Sequence, residues 1–376
     1  MLGIAAVVAA ALAATAVAQV PVPARPDGYR YMPLPNRSAP LQLHGYFDLT
    51  CPDCKDTWGP LKAALAEFNS AQIGFTMHTF SLANHRYGFT AASGAHAAEN
   101  AHKDPFAWME AMFANQDKFW DEPTDNLTGT QVFELFGQVA EDAPGLRIPK
   151  DEFVAALKSR PVNLATRTTW KLGALAAAAA QEVPIPSAPD GFRYNVTSNR
   201  TAPVQIEGYF DLMCPDTRAA WPALKSALDS FDPASVAFTM HLFPLPYHHN
   251  SYLAAEGATI VGLTASSSPF AWMEAVFAAQ EQFGNGATAG MSMTEVIAAF
   301  GKLASQSAGV NIPAATFIND MNQVSNDART RISWKLGCAR GVSGTPTFFA
   351  NGARFSPGGS WSASDWTAFF RQVMGN

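Results

Sequence analysis

The stretch GYFDLTCPDC, from Gly45 to Cys54, decides the reading of this 376-residue chain, because it returns as GYFDLMCPDT from Gly208 to Thr217. Working outward, VPVPARPDGYRY from Val20 returns as VPIPSAPDGFRY from Val183, and FTMHTF from Phe75 returns as FTMHLF from Phe238. PFAWMEAMFA from Pro105 returns as PFAWMEAVFA from Pro269, and the WKLG at Trp170 returns at Trp334, now one residue further on. Self-similarity at so long a spacing means duplicated domains rather than a solenoid. The length agrees, at roughly 100–200 residues per domain. The copies differ at their ends. After WKLG the second continues through GVSGTPTFFANG (Gly341–Gly352) into the amphipathic stretch SASDWTAFFRQVMG, whereas the first has only ALAAAAAQE before the second begins.

Leu41–Leu49 alternates and lies between Pro40 and Pro52, which predicts a strand, with Val204–Leu212 as its counterpart. From Cys51 to Phe68 the apolar residues Trp58, Leu61, Ala64, Leu65 and Phe68 keep helical spacing. Pro52 suits the first helical turn, where its missing N–H costs nothing. Gly74–Phe80 is strand-like, and about Ser93 to Leu157 reads as several helices with Pro and Gly breaks. In the second copy, Asn351-Gly352 between Thr347–Phe349 and Ala353–Phe355 is a hairpin signal. The expected order is strand, helix, strand, helical block, helix, hairpin, helix: a mixed α/β domain. The paired aromatics Trp108/Trp272 and Trp170/Trp334 fall in helical patterns and read as core.

That order, with Cys-X-X-Cys directly after the first strand, resembles the DsbA-like branch of the thioredoxin family. FDLTCPDC (Phe47–Cys54) and GVSGTPTFFANG carry the resemblance, over nearly all of the second repeat and about four fifths of the first. It implies two tandem thioredoxin-like domains, each with an inserted helical subdomain, the first lacking the C-terminal hairpin and helix. The expected boundaries are a signal peptide over 1–18, repeat one over 19–173, an Ala-rich junction over 174–182 and repeat two over 183–376.

Cys51-Pro52-Asp53-Cys54 is the chemical centre of repeat one. A thiol at a helix N-terminus meets exposed N–H groups and the positive end of the helix dipole, so it ionises more readily. Cys51 would attack a disulfide, and Cys54, one turn on, would resolve the mixed disulfide, the two cycling through a disulfide of their own. The competing readings are a permanent structural disulfide or half a metal site. A zinc site needs about four ligands, and no second Cys pair or well-spaced His pair is at hand, so no metal and no cofactor is expected. Asp53 departs from the family resemblance; its charge should disfavour the Cys51 thiolate and give a weaker oxidant than the strongest members of that family. Repeat two has Cys214-Pro215-Asp216-Thr217, with Thr217 at the resolving position. Cys338 is its only other thiol, a buried free thiol or a partner for Cys214. By the resemblance, Thr345-Pro346 is the cis-proline position, packing beside Cys214 and presenting the Thr345 backbone to an extended substrate; the alternative is a trans proline at a strand start. His78, His241, His85 and His248 sit at matched positions and read as structural or surface residues.

Composition narrows the rest. At 48% hydrophobic and 15% charged, the chain has material for two cores. A net charge of -6 with no Lys/Arg cluster argues against nucleic acid and anionic membranes as partners. Met1–Ala18 is almost all Ala, Val and Leu and ends in Ala16-Val17-Ala18, a cleavage pattern; it is too short and Ala-rich for an anchor. Sequons at Asn36, Asn126, Asn195 and Asn199 fit a secretory route to the endoplasmic reticulum lumen or outside. The Ala174–Ala180 run ahead of QEVPIP resembles the tail of a second signal peptide, as if two secretory genes had been joined; an Ala-rich linker or a simple helical extension is the alternative. Three functions follow: a thiol–disulfide oxidoreductase acting on extended polypeptide or thiol substrates, a non-catalytic peptide-binding module, or a glutathione-dependent transferase or isomerase.

Overall fold

A computed structural model describes residues 26–31, 33–36, 38–177, 186, 189–194, 201–357 and 361–375. The expected signal segment, the sequons at Asn195 and Asn199 and the end of the junction lie outside these residues.

Repeat one opens with a short strand, β1 (Tyr29–Arg30), then β2 (Leu41–Phe47), α1 (Pro52–Leu65) and β3 (Ile73–Thr79). The helical subdomain follows as α2 (Gly88–Asn100), α3 (Pro105–Asn115), α4 (Asp121–Thr124), α5 (Gly129–Asp142) and α6 (Lys150–Lys158), and α7 (Arg160–Ala177) ends the repeat. Repeat two matches it, except for α4, with β4 (Phe192–Tyr194), β5 (Val204–Phe210), α8 (Pro215–Leu228), β6 (Val236–Leu242), α9 (Ser251–Leu263), α10 (Pro269–Ala279), α11 (Met293–Gln306), α12 (Ala314–Met321) and α13 (Val324–Ala339). It then adds β7 (Thr347–Ala350), β8 (Ala353–Phe355) and α14 (Ala363–Met374). The first sheet has the order β1-β3-β2 and the second β4-β6-β5-β7-β8. The fold is thus two thioredoxin-like α/β domains with helical insertions, the first without hairpin and last helix.

The leading strands β1 and β4 are additions to the expected order. Each pairs antiparallel with the strand after the active-site helix, Tyr29 opposite Met77 and Phe192 opposite Met240. The chain enters them at Gly28 (φ +83) and Gly191 (φ +91), where a side chain would also collide with His78 or His241. That left-handed turn explains why Asp-Gly recurs in both copies. It also places Asp27 and Asp190 on those histidines, at 2.8 and 2.7 Å. The hairpin forms as expected, with Asn351 and Gly352 both at positive φ.

The tryptophan anchors of the two cores match. Trp108 and Trp272 each donate an indole N–H to the preceding helix, at Ala91 and Ala254, and pack on Phe153 and Phe317. The two repeats also share a third cluster. Phe80, Phe89, Trp170 and Ala174 of repeat one are buried with Phe243, Tyr247, Trp334 and Cys338 of repeat two. The packing is reciprocal: Phe80 stacks on Trp170 and meets Trp334 at 6.2 Å, while Phe243 stacks on Trp334 and meets Trp170 at 6.3 Å. Thr130 N–H donates to the Ala289 carbonyl, and its counterpart Thr294 N–H donates to the Asp125 carbonyl, the counterpart of Ala289. The interface is therefore isologous within one chain, with a pseudo-two-fold axis. The helical reading of the junction holds as far as Ala177: α7 runs through the expected boundary at residue 173, with Ala174 buried against repeat two.

Candidate active sites

Each active-site loop is a turn between a sheet strand and a helix, tied from three sides. Asp48, buried after β2, accepts from the backbone N–H and hydroxyl of Thr50 at 2.7 and 2.6 Å and from Leu82 N–H at 2.7 Å. His85 Nδ1 lies 3.0 Å from the same carboxylate. From the helical subdomain, the buried Gln116 amide donates to the carbonyls of Leu49 and Cys51, and Trp120 Nε1 donates to Thr50. Asp211, His248 and Gln280 repeat this frame around Cys214. Sequence reasoning missed the role of both Asp–His pairs and both glutamines. Their recurrence at matched positions was the signal, but what they hold depends on tertiary contact.

Cys51 is buried and forms the N-cap of α1, with Pro52 in the first turn as expected. Both cysteines are thiols. A hydrogen bond from the Cys54 thiol lowers the Cys51 pKa most; burial opposes it, and the Cys54 backbone N–H and the His85 charge reinforce it, leaving a value of about 6. The same coupling and burial push Cys54 strongly upward. One thiol is thus ionised at neutral pH and its neighbour keeps its proton. The expected antagonist, Asp53, is exposed; the carboxylate whose charge opposes Cys51 ionisation is Asp48.

Cys214 caps α8 with almost the same backbone angles, but its environment reverses the effect. Burial first and the Asp211 charge second raise its pKa, and its thiol donates to the Thr345 carbonyl at 3.5 Å. Thr217 is fully buried in the resolving position. The Thr345-Pro346 bond is cis, and both residues line a cavity of about 290 Å³ with Cys214. Arg167 and Lys171 reach into that cavity from α7 of repeat one, and Arg167 lies 4.2 Å over the Tyr247 ring. Nothing in the local sequence pointed to these two cations. Cys338 does not join the site: it is a free thiol, raised well above the ordinary range by burial in the interdomain cluster.

Asn36 is half-buried and its side chain accepts from Ser38 N–H, while Asn126 is exposed at the interdomain rim, 3.5 Å from Thr294 Oγ1. Among the described residues no group of side chains could hold a metal ion, and no helix is long and apolar enough to cross a membrane.

The family model described as thioredoxin matches twice, over residues 32–164 and 196–369. No curated protein matches the sequence. Similar solved structures include DsbA of Chlamydia trachomatis (17% identity, 52% of this chain and 97% of that one, TM-score 0.40). Oxidised BdbD of Bacillus subtilis is another (16%, 48% and 91%, TM-score 0.38). A thioredoxin-like oxidoreductase of Silicibacter pomeroyi is a third (21%, 50% and 95%, TM-score 0.33).

Proposed function

The chain belongs to the thioredoxin family through both of its halves, and from that premise we propose that repeat one is a thiol–disulfide exchange catalyst of the secretory pathway. The observation that carries this is the split between Cys51, lowered to about 6, and Cys54, raised. At neutral pH the Cys51 thiolate attacks a substrate disulfide and expels one of its sulfurs. Cys54, losing its proton, then attacks Cys51, expels the second and leaves a Cys51–Cys54 disulfide. His85 supports the thiolate through its charge. Gln116 and Trp120 fix the loop by donating to its carbonyls. A thiol-dependent insulin reduction assay tests the reading: the full chain should turn over and Cys51→Ala should not.

Repeat two favours a binding role. Its thiol is buried and held protonated, it has no resolving partner, and Thr345 and Pro346 lie over it as for an extended chain. Capture by Cys214 is slow to form and slow to release, since a mixed disulfide there has no built-in exit. Arg167 and Lys171 bias the pocket toward anionic thiols, which keeps a glutathione-type ligand as the alternative for this repeat. Glutathione affinity measured with and without Lys171→Gln separates the two. Residues 1–18 and the sequons at Asn36, Asn126, Asn195 and Asn199 support secretion, which N-terminal sequencing and a glycosidase shift would test.

A further inference from the structure

Repeat two shows what repeat one lacks. In it, β7 closes the outer edge of β5, antiparallel, with Ile206 opposite Ala350, Gly208 opposite Phe348 and Tyr209 opposite Thr347. The last helix α14 covers α8, and Phe370 packs edge-on to Phe231. In repeat one β2 is an edge strand, and among the described residues no strand pairs with its outer side. Apolar side chains stand open beside it on both faces of the sheet. Leu41 is 56% exposed where its counterpart Val204 is 0%, and Tyr46 38% where Tyr209 is 1%. Phe68, the counterpart of Phe231, is 48% exposed. A bare hydrogen-bonding edge flanked by apolar side chains is a template for an added strand.

A second copy cannot fill this edge by lending its own β7–β8–α14 unit, because each chain has two such faces and one such unit. The geometry instead points to the client. In repeat two the chain reaches β7 from Thr345, whose carbonyl lies 3.5 Å from the Cys214 sulfur, two residues before the strand begins. Cys51 and Cys214 cap their helices with matching angles, φ -82 and ψ 123 against φ -81 and ψ 123. A segment lying on β2 in the register of β7, and entered through the same X-Pro step, therefore brings the residue two positions ahead of it beside the Cys51 sulfur.

We propose that the open edge of β2 is a client-docking strand. It selects disulfide-bonded polypeptides in which a cysteine stands two residues ahead of an extended, aromatic-rich segment, paired antiparallel to Leu43–Tyr46. The proposal rests on the dithiol reading of repeat one. The Cys51 thiolate forms a bond to the client cysteine sulfur and expels that sulfur's former partner as a thiolate. Cys54 then gives up its proton, bonds to Cys51 and releases the client thiolate. The client disulfide gains two electrons and the Cys51/Cys54 pair loses them.

The test uses the full chain with Cys214→Ser, so that thiol exchange is read at repeat one. The probe is a peptide of residues 343–351 carrying Thr345→Cys, its cysteine in a mixed disulfide with thionitrobenzoate. Asn351 N–H donates to the Gln205 carbonyl at 2.8 Å. Donors alternate along an antiparallel pair, so Phe349 turns its N–H toward β5 and Phe348 turns its away. The probe should release thionitrobenzoate about tenfold faster than a shuffled peptide, from the gain of a few backbone hydrogen bonds. N-methylation at the Phe349 position should erase that advantage, and N-methylation at Phe348 should leave it. Equal rates for all four peptides, with rapid reaction of Cys51 toward dithionitrobenzoate, would overturn the docking and leave the dithiol reading standing. If Cys51 fails with dithionitrobenzoate too, the dithiol reading falls. Docking is then decided by anisotropy with the redox-silent Thr345→Ser peptide, where the same order of affinities supports it and no binding overturns it. A dimer in sedimentation that blocks peptide binding also overturns it, since a second copy then holds the edge.

Discussion

At the scale of single residues, the position one turn after the first cysteine sets the two sites apart in chemistry. Cys51 has a thiol one turn away to stabilise its charge; Cys214 has the buried Thr217 there, whose hydroxyl favours the thiolate only weakly beside burial and the Asp211 charge. The alkylation rate of Cys51 should therefore rise with pH through an inflection near 6, and at pH 7 roughly nine-tenths of it is thiolate. Cys214, with its pKa raised by burial, should be alkylated at least ~10-fold more slowly at neutral pH. The sign of each contribution can be checked by substitution. Cys54→Ala removes the main stabiliser and should move the Cys51 inflection upward. His85→Ala removes a lesser positive charge and should move it upward by less. A downward shift in either variant, read by iodoacetamide kinetics between pH 5 and 9, would refute this account.

At the scale of elements, α1 and α8 are the same helix in two settings. Trp58 and Leu65 are buried as Trp221 and Leu228 are, but Ala64 and Phe68 stand open where Ala227 and Phe231 are covered by α14. Phe231→Ser should cost about 1–3 kcal/mol in urea unfolding, through lost packing on Phe370. Phe68→Ser should cost under about 0.5 kcal/mol, since it removes little buried surface. Equal losses would mean that something covers repeat one as α14 covers repeat two. This element was only half legible beforehand. The apolar spacing from Trp58 to Phe68 correctly gave a helix, yet spacing reports which face is apolar and not whether a partner is there. The hairpin was fully legible, because Asn351-Gly352 encodes its turn locally. The strands β1 and β4 were not: two or three residues give no alternation to detect, and they exist only because Gly28 and Gly191 turn the chain against His78 and His241.

At the scale of the whole molecule, the isologous interface should make the two repeats unfold as one cooperative object. The sequence revealed the duplication through its repeated motifs, but not that the copies face each other, because Trp170 and Trp334 read simply as core. Their burial depends on both repeats: Trp170 and Trp334 are each almost fully buried, and each ring touches a phenylalanine of its own repeat and one of the other. Repeat one has the smaller sheet and the bare helix, so alone it is the weaker unit. Packed against repeat two, it should not unfold until that shared cluster opens. Two-domain chains commonly unfold in separate steps, so a single calorimetric transition for the full chain is informative. Trp170→Ala should remove about 3–5 kcal/mol and split the transition, repeat one melting first. Phe243→Ala lies wholly in repeat two, so its effect on repeat one isolates the coupling. Proteolysis in repeat one should accelerate in that variant even though no residue of repeat one has changed. If calorimetry of the unaltered chain shows two transitions, and Phe243→Ala leaves the cleavage rate of repeat one as it was, the repeats are merely adjacent and the shared cluster carries no cooperativity.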